Sequence, residues 1–154
     1  MDLLLKYLNK IKKQLTIQNV MVNVVGKDRN VLSLIVSLNT QDQLFEKGIR
    51  SDNTQIGEYS PFTISIKQAK GQRYDHITLK DTGDFYDSFT AFVDSSGDIE
   101  IETDPIKIDA FTGLQTDLTI KYGKDIVGLT QDNLEIIQAK LIAPVQKYIK
   151  KNIF

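Results

Sequence analysis

The chain has 154 residues, of which 41% are hydrophobic and 25% charged, which is the size and composition of a single globular domain. It contains no cysteine and one histidine, His76. A disulfide framework, a thiolate metal site and a cysteine nucleophile are therefore excluded, and a histidine-based zinc site has too few ligands. We expect a protein that is not an enzyme and that binds neither a metal nor a cofactor.

Charge is unevenly distributed along the chain, although the formal net charge is only -1. Residues 1–29 carry 6 basic and 2 acidic side chains, and residues 133–154 carry 4 and 1, so both ends are basic. Residues 75–132 carry 4 basic and 13 acidic side chains. This asymmetry suits a contact between unlike surfaces of two subunits, or a wall that faces nucleic acid without gripping it. The alternative is an ordinary solvated surface.

The sequence carries no signal for a membrane. No segment reaches the run of about 20 apolar residues that a membrane-spanning helix needs. The N-terminus does not match a signal peptide, because Asp2 lies where basic residues belong and Lys6 and Lys10 interrupt the apolar stretch. We therefore expect a protein that stays in the cytoplasm of the cell that makes it.

Two segments near the N-terminus have apolar residues at three- and four-residue steps. They predict helices over about 2–15 and 28–38, and Gly48 ends the second one after a further turn. Residues 17–25 alternate only partly and are rich in β-branched side chains, so helix and strand compete there. A last helix is predicted over about 131–151, with Pro144 as a candidate kink.

The middle of the chain combines loops with strands. Residues 48–71 predict a long connection with one short element at about 62–68. Alternating apolar residues flank the run Ser95-Ser96-Gly97 and predict an antiparallel β-hairpin. The alternating residues are Phe89, Ala91, Val93, Ile99 and Ile101. Apolar spacing over 114–122 predicts a short helix that Gly123 ends.

These elements predict an α+β fold. A small, mainly antiparallel β-sheet would pack against long N-terminal and C-terminal helices. We expect a single domain over residues 1–154. It would consist of a helical part (1–46), a part with loops and a β-hairpin (47–128) and a C-terminal helix (129–154).

The tripeptide Asp81-Thr82-Gly83 comes nearest to a catalytic signature. Aspartic proteases present Asp-Thr-Gly so that two carboxylates share a proton. Here the flanks differ, because Asp81 follows Lys80 instead of an apolar strand and a charged residue, Asp84, follows the glycine. A single copy would also require a symmetric dimer. We interpret the tripeptide as a turn that begins a helix or strand.

An acidic string covers residues 94–104. It lacks the ligand spacing and flanking helices of an EF-hand calcium loop. Glu100, Glu102 and Asp104 alternate along a predicted strand and would share one face, with Ile99 on the other. We interpret this face as the solvated outer side of the sheet.

Several runs in the middle and at the end of the chain resemble, in order and spacing, motifs of a phage protein family. These runs are Gly48-Ile49, Tyr59-Ser60-Pro61-Phe62-Thr63 with Lys67, Leu79-Lys80-Asp81-Thr82-Gly83-Asp84-Phe85-Tyr86-Asp87-Ser88-Phe89, and Gly128-Leu129-Thr130. The family is that of tailed-phage virion morphogenesis proteins, the small tail-completion or head–tail joining proteins. The resemblance covers roughly residues 40–154 and is closest to virion proteins of Bacteroidales phages, including crAss-like phages.

The resemblance implies a structural virion protein of the neck or tail. Such a protein forms a homo-oligomeric ring, joins the portal or connector to tail components, and lets DNA pass through its lumen without sequence-specific binding. It would be assembled in the host cytoplasm and would contact no membrane. The candidate structural or interface residues are Thr82, Gly83, Phe85, Tyr86, Phe89, Glu100, Glu102, Asp104, Gly128, Leu129 and Thr130.

Three of these groups have a physical rationale in the sequence. Gly83 permits a sharp turn after Thr82, and the nearby aromatic residues are anchors for the core or for subunit contacts. Thr130 is placed to cap the last helix. The acidic segment 94–104 would face either a neighbouring subunit's basic helix or the DNA lumen.

Two alternative functions remain. One is a dimeric aspartic protease that uses Asp81-Thr82-Gly83, and the other is a small adaptor that binds protein through its hairpin edge.

Overall fold

The computed structural model of the chain describes residues 2–153. Its N-terminal part is helical throughout. The helices are α1 (Asp2–Gln14), α2 (Ile17–Val20), π-helical turns over Met21–Val25, α3 (Arg29–Ser37) and π-helical turns over Leu38–Lys47. Both predicted N-terminal helices are therefore confirmed. Residues 17–25, for which the sequence left helix and strand open, are helical. Thr16 Oγ1 accepts the Asn19 N–H and so caps the start of α2.

Local contacts define where α3 and its extension begin and end. The Asp28 carboxylate accepts the N–H groups of Asn30 and Val31 at 3.0 and 3.2 Å, which begins α3. Gly48 ends the π-helical extension with a φ of 62°. A Cβ atom on Gly48 would lie 2.4 Å from His76 Cδ2, so a close approach as well as a left-handed backbone requires glycine here.

The middle of the chain contains two short helices and two hairpins. The helices are α4 (Pro61–Ala69) and α5 (Asp84–Asp87), and the strands are β1 (Thr90–Val93), β2 (Ile99–Glu102), β3 (Ile106–Ile108) and β4 (Gln115–Asp117). Strands β1 and β2 pair antiparallel, with Phe92 opposite Glu100. Strands β3 and β4 also pair antiparallel. The short element predicted at 62–68 and the hairpin around residues 95–97 are confirmed.

The α+β fold class is confirmed, with a different arrangement of strands. The strands form two separate two-stranded sheets, where the sequence predicted a single small sheet. The predicted helix over 114–122 is wrong in its first half, because residues 115–117 pair with β3. Only α6 (Leu118–Tyr122) is helical there, and it is capped by Asp117 and ended at Gly123. A 3₁₀ turn (Lys124–Ile126) and the long helix α7 (Gln131–Ile153) complete the chain.

Two apolar clusters form the core. The first joins the π-helical extension of α3 to the loops and to α5 and α6, and its buried members are Leu44, Ile56, Ile77, Tyr86, Phe89, Leu118 and Ile126. The second lies between α3, α7 and the β1–β2 hairpin, and its buried members are Val25, Val31, Ile35 and Ile137. Helix α3 therefore contributes to the packing of the hairpin and of the C-terminal helix.

The two terminal helices pair with each other. The Tyr7 hydroxyl donates to the Ile153 carbonyl at 3.1 Å, and the Tyr148 hydroxyl donates to the Gln14 carbonyl at 3.4 Å. These contacts make α1 and α7 antiparallel. Helix α1 thus packs along the C-terminal half of α7, and much of its remaining surface is exposed.

Candidate functional site

The Asp81-Thr82-Gly83 tripeptide forms the turn that begins α5. Gly83 has a φ of 106° and immediately precedes the helix. The Thr82 hydroxyl donates to the Asp84 carboxylate at 2.7 Å and accepts the Asp84 N–H at 3.4 Å. These contacts match a Ser/Thr turn, in which a hydroxyl replaces a backbone partner. The local role of Thr82 and Gly83 is therefore to shape this turn.

Asp81 lies between two lysines that come from different parts of the chain. Its carboxylate is 3.3 Å from Lys70 Nζ at the end of α4 and 3.1 Å from Lys107 Nζ on β3. Partial burial opposes ionisation, but the hydrogen bonds and charges of Lys107 and Lys70 outweigh it and lower the pKa of Asp81 to about 2. Asp81 is therefore ionised at neutral pH and links α4 to the second hairpin.

The three aromatic candidates lie in or beside the first core cluster. Tyr86 is buried and its hydroxyl donates to the Thr78 carbonyl. Burial raises the pKa of Tyr86 well above its usual range. Phe89 is buried and packs edge to face on the half-buried Phe85, with ring centroids 5.0 Å apart. These rings contribute to the core of the domain and leave little surface for a partner.

Two of the three acidic candidates share the exposed side of β2. Glu100 and Glu102 stand opposite Phe92 and Thr90 of β1 and are both exposed. Within residues 2–153 neither carboxylate takes part in a hydrogen bond or an ion pair. Asp104 does not continue this row, contrary to the prediction, because β2 ends at Glu102 and the Asp104 carboxylate accepts the Ile106 N–H at 3.0 Å.

The run Gly128-Leu129-Thr130 immediately precedes α7. Gly128 has a φ of 129°. Leu129 packs against the second core cluster. Thr130 is buried, and its hydroxyl accepts the Asn133 N–H at 3.3 Å, so it caps the helix.

Two buried amides that the sequence analysis missed hold this run in place. Asn39 Nδ2 donates to the Ile126 carbonyl at 3.0 Å, and Asn39 Oδ1 accepts the Gly128 N–H at 2.8 Å. Gln43 Nε2 donates to the Gly128 carbonyl, and Gln43 Oε1 accepts the Thr130 N–H, both at 2.8 Å. The two amides thus pair with alternate peptide groups of residues 126–130, as a neighbouring β-strand would.

Further polar contacts extend from this pair of amides. Asn133 Nδ2 donates to Gln43 Oε1 at 2.9 Å and to the Asp42 carboxylate at 3.0 Å. Every buried side-chain nitrogen and oxygen in the described part of the chain has a hydrogen-bond partner. A satisfied buried network of this kind fixes one arrangement of the elements that it joins.

Arg50 is a third residue whose role the sequence does not reveal. Its Nε donates to the Tyr122 carbonyl at 2.7 Å, and its Nη1 donates to the Gln55 carbonyl at 2.6 Å. The side chain therefore links the loop after Gly48 to the end of α6. Nothing in the sequence around Arg50 indicates these partners, because Tyr122 is 72 residues away.

Large apolar side chains are exposed on several elements of the domain, among them Ile17, Phe62 and Ile120, and two regions group four such side chains each. The first, named the helix surface, consists of Leu3, Leu4, Leu5 and Leu8 on α1. The second, named the hairpin arm, comprises residues 105–117 with the β3–β4 hairpin. The exposed apolar residues of the arm are Ile106, Ile108, Phe111 and Leu114. Phe111, at the tip of the arm, is 99% exposed.

The chain exposes more surface than a folded monomer of its mass. Its accessible surface is 10288 Å². A monomeric globular protein of 17.4 kDa exposes roughly 7,900 Å². The excess is about 2,400 Å², which exceeds the total surface buried in a standard protein–protein interface of about 1,600 Å². The isolated chain is therefore less compact than a typical monomer of this mass.

No group of three or more His, Cys, Asp or Glu side chains among residues 2–153 could hold a metal ion. In that same range, no helix is both long and apolar enough to cross a membrane.

A groove between the N-terminal helices and the end of α7 is lined by polar residues, which include Gln14, Asn23 and Tyr148.

Comparison of the chain with protein-family models, with curated proteins and with solved structures found no match in any of the three.

Proposed function

We propose that this chain is a structural protein of the tailed-phage virion. In this proposal it lies in the neck or tail, forms a homo-oligomeric ring, and joins the portal or connector to tail components. The motif resemblance over residues 40–154 suggests the virion. The observation that best supports assembly is the exposed surface of the chain. It exceeds the surface of a typical monomer of the same mass by about 2,400 Å².

The exposed apolar residues favour a ring over a two-fold dimer. The helix surface and the hairpin arm are two different surfaces, on different elements of the same chain. When one surface of a subunit binds a different surface of the next, the contact is heterologous, and such contacts close into rings when the rotation permits. A two-fold dimer would bury both only if the two surfaces met reciprocally in one interface, with the arm of each copy on the helix surface of the other, whereas a ring needs no such arrangement.

The charge distribution supports passage of DNA through such a ring. Glu100 and Glu102 form an exposed acidic face on β2 that has no cation among the described residues. A lumen lined by carboxylates repels the phosphates of duplex DNA, so the DNA passes through without binding to the lumen wall. The proposal therefore places this face towards the lumen.

Electron microscopy of negatively stained protein at high concentration tests the proposal. We expect closed rings with a central opening. The matched control is Phe62→Ser, which removes an exposed aromatic ring of α4 that belongs to neither surface, and it should still form rings. Compact two-fold dimers, or particles no larger than one chain at every concentration, would contradict the proposed function.

A further inference from the structure

We infer that the hairpin arm of one copy docks on the helix surface of a second copy. This inference rests on the proposed function and names the contact that holds neighbouring subunits together. The arm comprises residues 105–117, and the helix surface comprises Leu3, Leu4, Leu5 and Leu8.

The hairpin arm has too few contacts of its own to be a stable element in water. Each of its strands has three residues, and every residue of β3 is exposed. An isolated two-stranded hairpin is marginally stable at best in water, and a further packed surface is needed to stabilise it. The contacts of the arm with the rest of the chain include the Lys107–Asp81 ion pair and a bond from the Leu118 N–H to the Pro105 carbonyl. Its exposed apolar residues therefore lack a packing partner.

The tip of the arm is nonetheless held in one shape. The Asp109 carboxylate accepts the N–H groups of Phe111 and Thr112 at 3.0 and 2.7 Å, and the Gly113 N–H donates to the Asp109 carbonyl at 2.8 Å. These bonds order the turn that carries Phe111. An ordered turn with an exposed aromatic side chain has the properties of a pre-organised binding element, because less conformational entropy is lost on docking.

The helix surface is apolar, like the exposed side chains of the hairpin arm. Leu4 and Leu8 are one turn apart on α1 and both are exposed, so they lie side by side along the helix. The Tyr7 hydroxyl and the Gln14 carbonyl bond to α7 beside them. All four leucines of the helix surface are nevertheless more than half exposed, so the chain itself leaves them uncovered.

Charge also distinguishes the two surfaces. Helix α1 carries four lysines and one aspartate, a net charge of +3, whereas the hairpin arm (residues 105–117) carries two aspartates and one lysine, a net charge of -1. The ammonium groups of Lys10, Lys12 and Lys13 have no partner within residues 2–153. Opposite charges around an apolar contact steer two copies together and set their register.

The exposed area fits one such contact on each side of a subunit. A subunit in a ring takes part in two interfaces and contributes about 800 Å² to each, about 1,600 Å² in all. The excess exposed surface of about 2,400 Å² is sufficient for both. A second copy of this chain therefore accounts for the arm and the helix surface together, whereas a single foreign partner on either surface would leave the other uncovered.

Cysteine cross-linking between two different single variants tests this contact, because the chain contains no cysteine of its own. Full-length Phe111→Cys is mixed with full-length Leu8→Cys under mild oxidation, and the rate at which the mixed disulfide dimer forms is measured. The control mixture pairs Phe111→Cys with Phe62→Cys, whose position is exposed on α4 outside both surfaces. We expect the first mixture to react at least ~10-fold faster, because docking raises the effective concentration of the two thiols into the mM range.

Two results would overturn the inference, and they separate it from the proposed function. If the wild-type protein forms rings but the two mixtures react equally slowly, the ring stands and this contact is wrong. If the wild-type protein stays a monomer and neither mixture reacts, the ring and the contact both fail. Selective cross-linking that 1 M salt slows would also support the attraction between the basic helix α1 and the acidic arm, since the Debye length falls to about 3 Å at 1 M.

Discussion

Gln43 and Thr130 are 87 residues apart in the chain, yet Gln43 Oε1 accepts the backbone N–H of Thr130 at 2.8 Å. Four residues before Gln43, Asn39 makes an equivalent pair of contacts with Ile126 and Gly128. Two side-chain amides on one helical segment thus take the place of a β-strand and fix the start of α7. They join the N-terminal half of the domain to its C-terminal helix.

The first prediction concerns the buried amide of Gln43. Gln43→Ala leaves the Gly128 carbonyl and the Thr130 N–H without partners in a buried site, so we expect the free energy of unfolding to fall by about 3 kcal/mol. Gln41→Ala removes an exposed glutamine from the same helical segment and should change it by less than about 0.5 kcal/mol. Urea unfolding measures both. If the two variants lower the free energy of unfolding equally, the hydrogen bonds of the Gln43 amide do not stabilise the fold.

The second prediction separates steric overlap from backbone strain at Gly48. Gly48 and Gly71 both have a left-handed backbone, with φ of 62° and 66°, so alanine costs about 1–2 kcal/mol at either position. At Gly71 nothing lies within 4 Å of the added Cβ, whereas at Gly48 it would lie 2.4 Å from His76 Cδ2. His76 would have to move and lose its bond to the Phe45 carbonyl, at about 1 kcal/mol more. Gly48→Ala should therefore lower the thermal midpoint further than Gly71→Ala, and equal midpoints would contradict this packing.

The third prediction concerns pH and Asp81. The pKa of Asp81 is lowered to about 2 in the folded chain, and it is about 3.9 when unfolded. Asp81 thus stabilises the folded state above about pH 4, and this contribution is lost as the pH falls towards 2. Since the carboxylate is partly exposed, we expect it to be less than about 1 kcal/mol.

Urea unfolding between about pH 5 and 2 checks this contribution. Asp81→Asn should be less stable than wild type at pH 5, and the difference should shrink as the pH falls. Asp98→Asn serves as the control, because the Asp98 side chain forms no ion pair within residues 2–153. A difference between wild type and Asp81→Asn that stays constant across this range would show that the two lysines do not act on Asp81 through its charge.

The fourth prediction concerns the acidic face of β2. In the double variant Glu100→Gln with Glu102→Gln, assembly should be unchanged, while non-specific binding to duplex DNA should become stronger at low salt, because carboxylates that repel phosphates have been removed. Glu58→Gln with Glu135→Gln removes two exposed carboxylates elsewhere and serves as the control. Assembly is followed by native mass and DNA binding by filter retention. Weaker assembly with a changed salt dependence would instead place Glu100 and Glu102 against a neighbouring subunit's basic helix.

The elements with a long apolar repeat could be predicted from the sequence. The helices at 2–14 and 131–153 and the β1–β2 hairpin have enough periodic residues to distinguish a step of 3.6 from a step of 2. Strands β3 and β4 have three residues each, too few to show alternation. The pairing of residues 106–108 with 115–117 was missed for this reason.

The buried network could not be predicted because its partners are far apart in the chain. Asn39 and Gln43 are four residues apart, so they share a face of their helical segment, and that face lies between the buried residues Ile35 and Leu44. Two amides on an apolar face are a signal that buried polar contacts exist. Their backbone partners at residues 126–130 are set by tertiary packing alone. The alternating pattern of the sequence predicts that Asp104 lies in one row with Glu100 and Glu102. The bond from the Ile106 N–H to the Asp104 carboxylate leaves no sign in that pattern, so the end of the row could not be predicted.

In the proposed function, the chain assembles with itself into a closed ring. Native mass measured across a concentration series tests it most directly, with Phe111→Ser beside the wild type. We expect one large species of fixed stoichiometry to replace the monomer as concentration rises, and a shift of that transition to higher concentration in Phe111→Ser. A wild-type protein that remains monomeric or stops at a dimer throughout the series would contradict the claim.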